Sequence, residues 1–191
     1  MNNENLAAQV PFWDKLSEHE KTMVQESAVL ARYEKGQLIQ SSDADCLGMS
    51  LVKRGELRIY IVSEEGREIT LFRLRTGDCC FLSASCAVEE ITFDTQVEAA
   101  EECELLVIRT PVLRRLTEAN IYARCYMYEV LCKRFSSVMW TMQMILFKGY
   151  DRRLADYLVS ECDRTGQTEV RATHEQIAAR TNTAREVVTR M

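Results

Sequence analysis

Residues 172–191 read ATHEQIAARTNTAREVVTRM, and this stretch predicts two short helices joined by a tight turn. Thr173 is a favoured helix N-cap, and Gln176 three residues later completes a capping box. Asn182 lies where the turn needs a residue that tolerates a left-handed backbone, which Asn does readily. Thr183 is then the predicted N-cap of the second helix. The pattern predicts a helix-turn-helix at the C-terminal end of the sequence.

The second of these helices has a polar face suited to reading DNA bases. Arg185, Glu186, Thr189 and Arg190 fall on one side at helical spacing. Arginine can bond O6 and N7 of guanine in the major groove, and glutamate can accept a hydrogen bond from N4 of cytosine. The complete set of predicted DNA-binding residues is Arg185, Glu186, Thr189, Arg190, Thr173, His174 and Thr183. Because the helix has fewer than two turns before Met191, we expect weak specific binding unless residues are restored beyond 191.

Composition and charge distribution fit a globular protein with two unequal parts. The net charge of the 191 residues is −5, but from Asp151 onward seven arginines balance seven acidic residues. A neutral C-terminal part predicts modest non-specific affinity for DNA, since phosphate contacts supply that affinity. No apolar run approaches the ~18 residues of a membrane span, and residues 1–8 lack the regions of a signal peptide. The sequence therefore predicts a cytoplasmic protein without a membrane partner.

Residues 32–108 predict an antiparallel β-roll. Glycines at 36, 48, 55, 66 and 77 mark turns about every ten residues, and short apolar runs lie between them. In the run 57–62, Leu57, Ile59 and Ile61 alternate with Arg58 and Tyr60, which predicts one buried and one exposed face. Residues 64–67 form the predicted hairpin turn. Upstream, Ser17 is predicted to cap a helix.

A long helix is predicted from 119 to 148. Seven of its residues recur in alternating steps of three and four, the a/d pattern of a parallel coiled coil between two subunits. A helix packed only on its own β-roll is the alternative, and a second apolar stripe at Met127, Leu131, Val138 and Ile145 suits that contact. Two stripes favour a helix with two partners, hence a homodimer. The predicted dimer-interface residues are Cys125, Tyr128, Cys132, Phe135, Met139, Met142 and Leu146.

This order of elements resembles the CRP/FNR family of bacterial transcription regulators over essentially the whole sequence. The most specific marker is Arg185-Glu186-x-x-x-Arg190, at the spacing of the family's recognition helix. The resemblance implies an α+β fold: an N-terminal antiparallel β-roll like the cyclic nucleotide-binding jelly roll, a long dimerisation helix, and an incomplete winged helix-turn-helix. The expected divisions are 1–118 for the sensor roll, 119–149 for the dimerisation helix with a hinge at Gly149, and 150–191 for the helix-turn-helix.

The resemblance also implies partners and contacts. Arg185 and Arg190 would contact guanines and Glu186 a cytosine, in a two-fold palindrome with TGTGA-like half-sites. His174 stands where a family member can have a phosphate-contacting arginine. RNA polymerase is a further candidate partner. The family's β-hairpin wing has no counterpart before residue 191.

The effector of the roll differs from those of well-known members. Members that bind cyclic AMP carry a Gly-Glu pair and then an Arg-Ser or Arg-Thr pair, whereas this sequence has Phe81-Leu82 and Phe93-Asp94 there. A cyclic phosphate needs a positive partner when it leaves water, so the sequence predicts an effector other than cyclic AMP. The first cysteine is Cys46, so the N-terminal ligands of an iron–sulfur cluster are missing. No histidine lies between His19 and His174 to hold haem.

The nature of the effector stays open at the level of sequence. A thiol sensor is one hypothesis, and cysteines that only fill a core are the alternative; an apolar small ligand is a third interpretation. The residues of the predicted effector pocket are Cys79, Cys80, Phe81, Leu82, Cys86 and Phe93. The eight cysteines form no C-x-x-C unit and only two histidines accompany them, so we predict no metal site and assign no cofactor.

These observations favour a homodimeric, effector-gated DNA-binding transcription regulator that is not an enzyme. A sensor module that regulates a protein partner is an alternative. A cupin-like enzyme is a weaker one, because such enzymes need several histidine ligands and the roll has none.

Overall fold

The chain folds into a β-roll followed by a series of helices in a computed structural model, which describes residues 9–40, 48–81 and 95–191. After a 3-10 turn at Trp13–Lys15, helix α1 spans Glu18–Ser27. The described strands are β1 Ala28–Tyr33, β2 Leu38–Gln40, β3 Met49–Arg54, β4 Glu56–Val62, β5 Glu68–Arg75, β6 Cys79–Cys80, β7 Gln96–Ala99 and β8 Cys103–Ile108. The later helices are α2 Thr110–Ala119, α3 Ile121–Phe147, α4 Tyr150–Thr165, α5 His174–Thr181 and α6 Arg185–Arg190. The predicted α+β class is confirmed.

Two antiparallel four-stranded sheets form the roll, in the orders β1-β8-β3-β6 and β2-β7-β4-β5. The predicted hairpin between β4 and β5 is present: the amide of Gly66 donates to the carbonyl of Ser63 at 2.9 Å, with Gly66 at φ +78°. Gly55, between β3 and β4, has φ +88°, and a Cβ there would collide with the carbonyl of Glu102. Glycine is therefore required at this turn.

The buried residues form two clusters on either side of the first sheet. One lies between that sheet and helices α1, α2 and α3, and includes Met49, Leu106 and Leu116. The other lies inside the roll, between the two sheets, and includes Leu57 and Leu105. Both clusters are closed by α3, because Leu131 packs against each of them.

The helix boundaries follow local capping signals. Ser17 caps α1 through the predicted capping box with Glu20. The long helix begins at Ile121 rather than at 119, because the Asn120 side chain accepts hydrogen bonds from the amides of Tyr122 and Ala123. Gly149 precedes α4 as its N-cap, so the break between the two helices is two residues long.

The expected exposed face of β4 is a wrong prediction. Arg58 and Tyr60 are buried, at 7% and 8% exposure. Arg58 stacks on Tyr60 and pairs with Glu68 at 2.7 Å, which satisfies its charge away from water. The alternating pattern predicts that this side of the sheet faces water. Instead, Nε of Arg58 donates to the Thr70 hydroxyl, which in turn contacts the helix-turn-helix.

Strand β5 is an edge strand with a bulge at Leu71. Its pairing with β4 shifts register there, since Ile59 faces Phe72 and Tyr60 faces Thr70. The Leu71 carbonyl accepts a hydrogen bond from the hydroxyl of Thr141 in α3, at 2.7 Å. A bulge frees backbone groups from the strand ladder, and here one of them binds the long helix.

Candidate functional site

The helix-turn-helix forms as the local signals predict, with one difference. Thr173 caps α5 through a capping box with Gln176, and Asn182 adopts the left-handed conformation at φ 52°. Thr183, however, does not cap the second helix: its amide donates to the carbonyl of Ala178, and the N-cap is Ala184, without a side-chain bond. The turn is one residue longer than predicted because Thr183 is used to close it.

Helix α6 presents its polar face to solvent. Arg185, Glu186, Thr189 and Arg190 are all exposed and line one shallow groove, whereas Val188 on the opposite face is buried at 8% exposure. Val188 therefore fixes the rotation of the helix about its axis, and this rotation directs the four polar side chains outward. The arrangement leaves the guanidinium and carboxylate groups free to bind groups outside the protein.

The start of α5 lies beside this polar face. Nδ1 of His174 is 3.2 Å from the hydroxyl oxygen of Thr189, and both side chains are exposed. The Thr189 hydroxyl also donates to the carbonyl of Arg185 at 3.0 Å. Thr173 is exposed next to His174, and Thr183 is half-buried in the turn. The structure thus brings Thr173 and His174 close to the face of α6.

The turn of the helix-turn-helix is bound to the edge of the roll. The Thr70 amide donates to Oδ1 of Asn182 at 2.8 Å, and Nδ2 of Asn182 donates to the Thr70 carbonyl at 3.0 Å. We call this pair of bonds the Thr70–Asn182 contact. The Thr70 hydroxyl also donates to the carbonyl of Ala179 at 3.1 Å. Sequence patterns could not reveal this contact, because its partners are 112 residues apart.

A cluster of charges around the buried Glu56 strengthens the same junction. Glu56 accepts from Arg73 at 2.8 Å and from Arg75 at 2.9 Å, and lies 3.1 Å from the guanidinium of Arg180 in α5. Burial alone raises the pKa of the Glu56 carboxyl, but the positive charges of Arg180 and Arg73 outweigh burial, so the pKa lies below its usual range. Burial, together with repulsion from Arg180, lowers the pKa of Arg73 to about 10. Glu56 therefore holds together three cations that would otherwise repel one another.

A cleft of about 690 Å³ opens where the roll, the long helix and the helix-turn-helix meet. Its walls come from β5, the second half of α3, α4 and the turn after α5. Among its polar lining residues are Arg73, Arg153, Asp156, Glu161 and Asn182. Movement of the helix-turn-helix relative to β5 would change the width of this cleft.

The described part of the predicted effector pocket is a packed core. Cys79, Cys80 and Phe81 are each 1–2% exposed, while Leu82, Cys86 and Phe93 lie outside the described residues. The hydroxyl of Tyr126 in α3 donates to Sγ of Cys79 at 3.1 Å. Burial raises the pKa of the Cys79 thiol to about 11. Because the thiolate is the reactive form, these features support the core-filling interpretation of Cys79.

Arg134 is a residue of this region that sequence reasoning missed. It reaches from α3 to the start of β6, where it donates to Asp78 at 2.9 Å and to the Cys79 carbonyl at 3.2 Å, and it stacks on Phe72. Because Arg134 lies 56 residues from Asp78 in the sequence, no local pattern predicts that the two residues pair. Helix α3 therefore places a largely buried cation against the roll, where a carboxylate engages it.

Helix α3 separates its two apolar stripes onto two faces. The second stripe faces the subunit's own roll: Met127 is 4% exposed, and Leu131 and Val138 pack against the core clusters. All seven residues of the a/d pattern are exposed instead, with Phe135 at 68% and Leu146 at 67%. We call this exposed row of seven residues, which runs from Cys125 to Leu146, the α3 seam.

The described residues, 9–40, 48–81 and 95–191, lack two further features. No group of three or more histidine, cysteine or acidic side chains among them could hold a metal ion. Within the same residues, no helix is both long and apolar enough to cross a membrane.

Comparison with known proteins agrees with this architecture. Residues 30–120 match the cyclic nucleotide-binding domain family. A protein from Eubacterium rectale, assigned as a transcriptional regulator of the CRP/FNR family, is 37% identical with a TM-score of 0.89, over 95% of this chain and 84% of that one. No match was found among curated proteins.

Two more distant structures share the fold. The c-di-GMP-responsive global regulator CLP of Xanthomonas campestris is 18% identical with a TM-score of 0.71, over 91% of this chain and 89% of its own. A CRP-family transcriptional regulator from Thermus thermophilus is 19% identical with a TM-score of 0.64, over 84% and 80%. With its β-roll, its long helix and its helix-turn-helix, the chain belongs to the CRP/FNR family of transcriptional regulators.

Proposed function

We propose that the chain acts as a homodimer that binds two-fold palindromic double-stranded DNA and responds to an effector in its β-roll. The observation that carries this proposal is the polar face of α6, which is exposed and held outward by the buried Val188. Arg185 and Arg190 would donate to guanines and Glu186 would accept from a cytosine. Such contacts to bases determine which DNA sequence is bound, whereas contacts to phosphates only position the protein on the duplex.

Residues near α6 would contact the DNA backbone. Thr173 caps α5 and His174 is its first residue, and His174 contacts Thr189 of α6. A DNA strand read by α6 would therefore pass close to Thr173 and His174. The Thr189 hydroxyl already donates its hydrogen to the Arg185 carbonyl. The methyl group and the oxygen lone pairs of Thr189 therefore remain to contact the DNA. Thr183 is proposed as a further contact from the turn.

The α3 seam supports the homodimer. A helix of 27 residues is about 40 Å long, and its apolar a/d row is the surface that a second copy would cover in a parallel coiled coil. A dimer would supply the two recognition helices that a palindrome needs, about 34 Å apart. Effector binding would act by shifting the population of dimers in which this spacing is met.

The effector is proposed to be a small molecule other than cyclic AMP. Its site would adjoin Cys79 and Phe81, where the largely buried cation Arg134 is already engaged by Asp78. A cyclic phosphate would have to displace that carboxylate. The raised pKa of the Cys79 thiol makes oxidation at this cysteine a poorer gating mechanism than ligand binding.

Selection from a randomised palindromic duplex library, followed by titration of the selected site, tests the DNA-binding proposal. Arg185→Ala is expected to weaken binding by about 1–3 kcal/mol and to relax the preference at one base position. Arg67→Ala, which removes an exposed charge from the β4–β5 hairpin, is the matched control and should leave the preference intact. If Arg185→Ala and Glu186→Ala both leave the selected sequence unchanged, α6 is not the reader, and the sensor module for a protein partner becomes the better proposal.

A further inference from the structure

Two of the seven residues of the α3 seam are cysteines. Cys125 and Cys132 are one heptad apart, and both are exposed in the subunit. The other described cysteines differ from them, because Cys79, Cys80 and Cys103 are buried and Cys162 is half-buried. The two most accessible thiols of the described chain thus lie on the surface proposed to face a second copy.

The geometry of paired helices brings equivalent seam residues together. In a parallel, in-register pair, each a-position residue lies opposite its own counterpart. Helix axes 8–10 Å apart, with Cα atoms about 2.3 Å from each axis, place facing Cα atoms roughly 3.4–5.4 Å apart. A disulfide requires a Cα–Cα distance of about 4.4–6.8 Å. The two ranges overlap.

We propose that Cys125 and Cys132 are sites of intermolecular disulfide formation, each with the same residue of a second copy, when a hydroperoxide supplies the oxidant. The inference rests on the proposed homodimer and deepens it. An exposed thiolate of one subunit attacks the peroxide and its O–O bond breaks; a sulfenic acid forms, and the other oxygen takes a proton and leaves as water or an alcohol. The counterpart thiol then attacks the sulfenic sulfur, the S–S bond forms, and the hydroxyl group leaves with the thiol's proton as water.

Other uses of these thiols conflict with helix geometry. Residues seven positions apart on a helix are separated by about 10.5 Å along its axis. This distance prevents a disulfide between Cys125 and Cys132 of one chain. It also prevents the four thiols of a dimer from sharing one metal ion, whose bonds to sulfur are about 2.3 Å long.

Single and double substitutions separate the parallel arrangement from its alternatives. The full chain is reduced, treated with hydrogen peroxide, and analysed by non-reducing electrophoresis. Wild type, Cys125→Ser and Cys132→Ser should each give a covalent dimer, since either cysteine can pair with its own counterpart. The double variant should lose the covalent dimer, and the control Cys162→Ser should keep it. Digestion after Glu129 separates the two cysteines, so mass spectrometry can identify each linked peptide.

The outcomes distinguish this inference from the proposed homodimer. Loss of the covalent dimer in both single variants would show pairing of Cys125 with Cys132 in antiparallel helices, which overturns the inference. A reduced dimer in analytical ultracentrifugation that never becomes covalent would overturn the disulfide and leave the homodimer standing. A chain that is monomeric and never cross-linked would overturn both. In support, the oxidised form would stay dimeric at dilutions where the reduced form dissociates.

Discussion

Replacing Asn182 with glycine should detach the helix-turn-helix from the edge of the roll without altering the turn itself. Asn182 has φ 52°, a conformation that glycine adopts without strain. The substitution therefore deletes the Thr70–Asn182 contact and little else. Asn182→Asp is a second variant: it keeps an acceptor for the Thr70 amide, but it replaces the donor to the Thr70 carbonyl with a carboxylate oxygen that repels that carbonyl.

The size of the effect follows from the two bonds that are lost. They measure 2.8 and 3.0 Å, and each such bond contributes about 0.5–1.5 kcal/mol net. Docking of the helix-turn-helix on β5 should weaken by about 1–3 kcal/mol, which is roughly a 5- to 150-fold change in the docking equilibrium. The bond from the Thr70 hydroxyl to Ala179 and the pair Arg180–Glu56 would remain.

Amide hydrogen exchange at Thr70 measures this equilibrium. Strand β5 is an edge strand, and the Thr70 amide bonds to Asn182, so its exchange should accelerate by at least the same factor in Asn182→Gly. Amides of β8, in the other sheet, should be unaffected. Equal exchange rates at Thr70 in wild type and Asn182→Gly would refute the reasoning.

Three further outcomes are expected. The pKa of Glu56 is lowered in the folded chain, so the stability that its charge gives is present above its unfolded pKa of about 4.3 and is lost as pH falls below that value. The urea midpoint of Glu56→Gln should therefore depend less on pH, between about 6 and about 3, than the midpoint of wild type. Parallel pH profiles for the two proteins would contradict this. Phe135→Asp puts a charge on the α3 seam where the side chain is 68% exposed, so sedimentation should show a monomer, and circular dichroism at low temperature should show an unchanged secondary structure; a stable dimer would count against the seam. Gly55→Ala should destabilise the chain by more than the ~1–2 kcal/mol of a left-handed alanine, because its Cβ also meets Glu102; denaturation that matches wild type would disprove this.

The sequence predicted features that depend on a few neighbouring residues. The capping boxes of Ser17 and Thr173 and the left-handed Asn182 each follow from residue types within one helical turn. The two stripes of α3 follow from its periodicity, and the structure gives them two different faces. Such signals survive in the fold because no distant contact competes with them.

The errors concern contacts between distant parts of the chain. Arg58 and Tyr60 have an alternating pattern that predicts exposure, but the pairing of Arg58 with Glu68 and the packing around Thr70 bury them. Arg134 reaches Asp78 across 56 residues, and no local pattern encodes such a distance. Thr183 is not the N-cap that its neighbours predict, since its amide bonds to the carbonyl of Ala178 and closes the turn.

The bulge in β5 limits how freely parts of this molecule can be exchanged. Two adjacent residues serve two different partners, because the Leu71 carbonyl binds Thr141 of α3 while Thr70 binds Asn182. A chimaera that joins this roll and its long helix to a relative's helix-turn-helix would keep the first bond and lose the second unless the new turn also carries an asparagine. The contact uses only the backbone amide and carbonyl of Thr70. The roll and the helix-turn-helix are therefore not freely exchangeable, and any swap must keep an asparagine at position 182.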